Sequence, residues 1–175
     1  MLAGTGTLVL EDEEHALEPE TGVYVAPGES YVVDNPGPDE LRVVSVLALE
    51  PDRDPEAPRR VTVRLAEREA HRAGKDREFR TIVDSDSGCR TVTQFVGVIP
   101  PGRALPHYHL YDEVAYILEG QGVLHIEGEE TPVAAGSCIH FPARVIHILE
   151  NVGSGPLRVL GVFHPAGSPA EAYNV

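Results

Sequence analysis

The sequence predicts an all-β protein, and three observations lead there. Apolar content is carried by Val, Leu, Ala and Ile in short runs, with aromatic residues at 6% and no Trp, a mixture that suits pleated, half-buried surfaces. The 17 Gly and 15 Pro interrupt those runs frequently, as turns do. Sustained helical periodicity is missing; only 65–75 reads as a candidate helix, and its charges suit a solvated connector equally well. At 175 residues the chain can build one ordinary core or two small modules sharing one.

In chain order, the expected strands are 7–10, 23–26, 41–47, 61–65, 91–99, 114–118, 139–141 and 158–163, all short and β-branched. Between them lie clusters such as Asn35-Pro-Gly-Pro, Pro100-Pro-Gly, Gly128-Glu-Glu and Asn151-Val-Gly-Ser-Gly-Pro, which are turn chemistry. An antiparallel sandwich or barrel follows. The acidic run 11–14 belongs at a hairpin turn.

An internal repeat runs without a gap at a constant spacing of 116 residues, 2–49 against 118–165. It pairs Gly4 with Gly120, Gly6 with Gly122, Leu8 with Leu124, Asn35 with Asn151, Gly37 with Gly153 and Val46 with Val162. The first copy corresponds only to the back half of the second. We therefore expect a partial repeat at 1–49, a linker at 50–60 rich in Asp, Pro and Arg, and a complete unit at 61–175.

Charge and cysteine usage narrow the function. Fourteen basic against 28 acidic residues give a net charge of -14, which repels a phosphate backbone or an anionic membrane. Nucleic acid and membrane are excluded as partners on that ground. No apolar run approaches the ~20 residues of a transmembrane span, and no basic leader precedes an apolar segment, so a cytoplasmic protein is expected. Cys89 and Cys138 are expected to be free, buried thiols.

The chemistry concentrates after Pro100-Pro-Gly. His107 and His109, two apart, project from one face of a strand, and Glu113 follows a short bend. His147 lies in an otherwise apolar segment that alternation places in a half-buried strand. Each histidine alone is more simply read as a hydrogen-bonded core residue. Three imidazoles and a carboxylate buried together without a cation would leave costly unpaired polar groups. Neutral imidazole and carboxylate suit a divalent ion such as Mn, Fe, Co, Ni or Zn.

These residues resemble the two motifs of the cupin superfamily. Gly102-Arg-Ala-Leu-Pro-His107-Tyr-His109-Leu-Tyr-Asp-Glu113-Val-Ala-Tyr-Ile-Leu-Glu-Gly120 is similar to the first, one residue short between Gly102 and His107. Gly136-Ser-Cys-Ile-His-Phe-Pro142-Ala-Arg144-Val-Ile-His147-Ile-Leu-Glu-Asn151 is similar to the second, with Arg144 where the family has Gly. The resemblance implies a jelly-roll β-barrel with one divalent transition metal held by His107, His109, Glu113 and His147. It covers 79–166 as a full unit and 2–49 as a partial one, so the whole resembles a truncated bicupin. In the partial copy Tyr31 stands where the repeat expects the counterpart of His147. That copy is expected to be metal-free, with Tyr31 filling space or donating one hydrogen bond.

Around the site, Gln94, Arg103 and His140 are candidate substrate contacts, and Arg144 flanks the second ligand segment. His125 is expected at the surface or core edge. Two function classes fit. One is a metal-dependent enzyme, a dioxygenase, decarboxylase or isomerase, acting on a small oxygenated molecule, with Glu113 also relaying a proton. The other is a non-catalytic module that binds or senses such a molecule. Because a half barrel exposes strand edges and an apolar face, a homodimer is expected.

Overall fold

The computed structural model describes residues 1–49, 59–74 and 76–174. Most of the expected linker 50–60 lies outside the described residues. The chain forms β1 (Gly6–Leu10), β2 (Glu13–Leu17), β3 (Thr21–Val23), β4 (Tyr31–Asp34), β5 (Thr62–Arg64), β6 (His71–Ala73), β7 (Arg77–Val83) and β8 (Thr93–Ile99). It continues through β9 (His107–Tyr108), β10 (Asp112–Glu119), β11 (Gln121–Ile126), β12 (Glu129–Ala134), β13 (Cys138–Phe141), β14 (His147–Asn151), β15 (Leu157–His164) and β16 (Tyr173–Asn174). The candidate helix at 65–75 resolves into a single 3-10 turn, Leu65–Glu67, followed by β6. Its scattered charges give no apolar stripe on which a longer helix could pack.

Two antiparallel sheets make the barrel. The six-stranded sheet runs β13-β10-β15-β8-β7-β6 and the five-stranded sheet β12-β11-β14-β9-β16. Alternation sets which side chains enter the interior: on β10, Glu113, Ala115 and Ile117 are buried while Asp112 and Val114 are exposed. Ala115, Ile117, Leu157 and Val159 from one sheet meet Leu124, Val133 and Leu149 from the other in one apolar cluster. Glu113 is thus the carboxylate at the end of an inward-facing apolar row.

The repeat is visible as geometry. Leu8 pairs with His15 and Val33 in the first copy, and Leu124 pairs with Thr131 and Leu149 in the second, the same register at every position. The bridge between Ala3 and Arg42 matches the pair Glu119 and Arg158. Gly28 and its counterpart Arg144 both adopt a left-handed backbone, φ 81° and 66°. The family glycine replaced by Arg144 is a conformational requirement that arginine meets at some strain.

Beyond the bridge at Arg42 the copies diverge. The expected strand 41–47 does not form: its counterpart β15 lies between β10 and β8, and no equivalent neighbours flank the first copy among the described residues. Val43, Val46 and Leu47 are 55%, 42% and 98% exposed, whereas their counterparts Val159, Val162 and Phe163 are 4%, 5% and 0% exposed. A strand sequence without ladder partners has nowhere to place its backbone hydrogen bonds except water. β3 pairs with β5 instead, and Val44 packs with Leu65, Ile82, Val96 and Leu160 on the outer face of the six-stranded sheet. Tyr31 occupies the register position of His147, opposite Leu10 as His147 is opposite Ile126. It is 55% exposed and fills no core space, because β4 is a sheet edge among the described residues. Neither cysteine forms a disulfide; Cys89 is buried, and Cys138, contrary to expectation, is exposed on edge strand β13.

Candidate metal centre

His107, His109 and His147 converge. Their ligand nitrogens all lie within 4.8 Å of one another, and all three residues are buried. His107 and His147 are register partners across β9 and β14. His107 Nδ1 donates to the Leu105 carbonyl at 3.0 Å and His147 Nδ1 to the Val145 carbonyl at 2.9 Å. A carbonyl only accepts, so each Nδ1 carries the proton and each Nε2 keeps its lone pair free. His109 Nε2 stands 3.6 Å from Glu113 Oε2, and among the described residues its Nδ1 meets no partner at hydrogen-bond geometry. Phe141, Phe163 and Tyr111 pack against these rings with centroid separations of 4.3 to 5.4 Å.

Burial makes this cluster a set of neutral donors. It lowers the pKa of His107, of His109 to about 3 and of His147 to about 4, and for His109 and His147 repulsion from neighbouring imidazoles adds to the effect. Glu113 is pushed up to about 8 by burial, partly offset by the positive charge of Arg77. Neutral imidazoles with a free lone pair, unable to take a second proton at neutral pH, are the state that a divalent cation requires. Three buried histidines can hold such an ion. Glu113 stands beside that group, next to His109.

The cluster lines a cavity of about 640 Å³. Its walls include Phe95, Gly97 and Ile99 of β8, Phe163 of β15, and Pro169, Ala170 and Ala172 of the C-terminal segment. That segment is tied down by Tyr111, whose hydroxyl donates to the Ser168 carbonyl at 2.6 Å, and by stacking of Tyr108 on Tyr173 at 5.4 Å. Gly167 lets it approach, since a Cβ there would sit 2.1 Å from the Tyr111 ring.

The substrate candidates divide. Arg103 lines the cavity rim, half exposed and 4.0 Å from Glu150. Gln94 does not line it: Phe95 takes the inward position on β8, so alternation turns Gln94 to the other face. His140 is also elsewhere, exposed on β13 and 3.2 Å from Asp112. Arg144 lines a separate shallow hollow beside His125, which is held between Glu130 and Glu150. Arg77, absent from the sequence candidates, lines the metal cavity. The signal that could have found it is its parity with Phe79, which puts a guanidinium in phase with an apolar row.

A cupin domain family model matches residues 95–163. Polyketide synthase CurC of Streptomyces cyaneus is 32% identical over 109 residues, 61% of this chain and 68% of that protein. This chain belongs to the cupin superfamily. An oxalate-binding protein of Thermotoga maritima is 36% identical to this cupin over 66 residues, 37% of the chain and 54% of that protein. The cupin spans little more than half the length of three of its curated relatives, 54% to 56%. A deletion mutant of Bacillus subtilis oxalate decarboxylase superposes on the whole cupin chain and on 64% of its own, with a TM-score of 0.72 at 15% identity. At that identity the likeness shows the fold alone.

Proposed function

We propose that this cupin binds one divalent transition metal, Mn, Fe, Zn or Ni, through His107, His109, Glu113 and His147, and acts on a small oxygenated organic molecule. The observation that carries this reading is the convergence of three neutral imidazoles on a cavity large enough for such a molecule. A bound divalent ion supplies Lewis acidity toward a ligand oxygen. The chain's own groups do the rest. The phenyl and alanine walls exclude water, and Glu113, as the buried carboxyl beside His109, exchanges a proton with the ligand. The reaction class is a dioxygenase, decarboxylase or isomerase.

A second reading, binding without turnover, is favoured by one observation. Among the described residues lining the cavity, Glu113 is the sole buried carboxyl, so no separate acid and base flank the imidazoles. The likeness to a protein named for binding oxalate agrees with it. The test is oxygen uptake and decarboxylation by Mn- and Fe-loaded protein over a panel of hydroxy- and keto-acids. Turnover supports the enzyme. Tight binding without turnover supports the module, and failure to take up metal overturns both.

We also read 1–49 as a metal-free partial repeat packed on a complete cupin unit, and the protein as a homodimer. The exposed Val43, Val46, Leu47 and Leu49 support association.

A further inference from the structure

Arg77 opens β7 in the six-stranded sheet, yet its Nη2 donates to the Leu149 carbonyl of β14 in the five-stranded sheet, at 3.2 Å. The side chain therefore crosses the barrel interior to the strand that begins with His147. It lines the same cavity as His107, His109, Glu113 and His147. Arg77 and Arg103 are the guanidinium groups among the described residues lining this cavity. Arg103 is half exposed and turned toward Glu150. Arg77 is half-buried, and no described carboxylate lies within 4.0 Å of it.

Placing a guanidinium inside a barrel is costly unless its charge is paired and its donors are used. The bond to Leu149 uses one of five N–H donors. Asp76 and Glu113 act on that charge only from beyond ion-pair distance, and a planar anion arriving in the cavity would supply a close partner, because a carboxylate matches the guanidinium fork with two parallel hydrogen bonds. We infer that Arg77 is the carboxylate-binding residue of this cavity, so that the molecule received there is a small organic acid. This rests on the reading of the cavity as the ligand site. It deepens that reading by fixing the ligand's charge and one of its groups.

The experiment titrates wild-type protein, Arg77→Gln and Arg77→Lys with oxalate, acetate and succinate, and with oxamide as the neutral counterpart of oxalate. Calorimetry is run on both Mn-loaded and metal-free protein, with metal content and melting temperature measured in parallel. Arg77→Gln is expected to weaken carboxylate binding about tenfold or more, with oxamide binding, metal content and melting temperature unchanged. Arg77→Lys keeps the charge without the fork and is expected to fall between. A purely structural role would weaken oxamide and oxalate alike. Carboxylate binding by Arg77→Gln equal to wild type overturns the inference, as does a wild-type protein that binds none of the three acids in either state. Should Arg77→Gln fail to fold, Arg77→Lys decides, and equality with wild type overturns it. Arg77-dependent binding in a protein that takes up no metal would sustain the inference while the metal reading falls.

Discussion

His107 and His147 face each other directly across the β9 and β14 pair, ring centroids 4.7 Å apart, and each donates Nδ1–H to the carbonyl two residues before it. The same local device on two strands points both Nε2 lone pairs at one place. His107→Ala or His147→Ala is expected to abolish or greatly weaken metal uptake, and Tyr31→Phe to leave it intact. Elemental analysis of the purified variants checks this.

Stability of the metal-free protein should peak near pH 6.5. The folded imidazoles of His109 and His147 stay neutral down to about 3 and 4, against an ordinary value of 6.5. As pH falls below 6.5 the unfolded chain takes up protons that the fold refuses, and stability is lost. Glu113 runs the other way: its folded pKa of about 8 exceeds 4.5, so its contribution is lost as pH rises from 4.5 toward 8. Below 6.5 the imidazoles outnumber the carboxyl, and above it the carboxyl acts alone. Urea unfolding in chelator from pH 4 to 9 measures the curve. Glu113→Gln should flatten its alkaline limb.

Asn151 and Asn35 separate packing from local turn chemistry. Asn151 is buried, donates to the Ile99 and Gly155 carbonyls at 2.8 Å each, and accepts from the Gly153 amide. Asn35 repeats the local half of this at an exposed site, donating to the Asp39 carbonyl and accepting from the Gly37 amide. Asn151→Ala orphans buried groups and is expected to cost about 2–4 kcal/mol, and Asn35→Ala under about 1 kcal/mol. Denaturant unfolding compares them.

Gly161 leaves room for Phe95, whose Cζ lies 2.2 Å from where a Cβ would stand. Gly161→Ala is expected to displace that ring, which walls the cavity, at about 1–3 kcal/mol. Ser45, the counterpart in the exposed segment, should accept Ala within about 0.5 kcal/mol. Thermal melts of the two variants test the contrast.

A dimer is expected by light scattering at micromolar concentration. Leu47→Glu with Leu49→Glu should shift it to monomer if the exposed apolar segment is the interface, and a monodisperse wild-type monomer would count against it.

Read alone, the chain already carried the barrel, the repeat and the imidazole set. Each is written locally: alternation buries Glu113 on β10, two-residue spacing joins His107 to His109, and paired glycines and asparagines mark identical turns. Three things were decided only by the assembled sheets. Residues 41–47 have the composition of β15 but, among the described residues, no strand on either side, and a ladder needs neighbours more than propensity. Gln94 and His140 were polar residues near the motifs, yet the pleat turns them away from the cavity. Arg77, far from both motifs in sequence, reaches the centre because β7 and β14 lie on opposite walls of one barrel, a proximity that long-range packing alone creates.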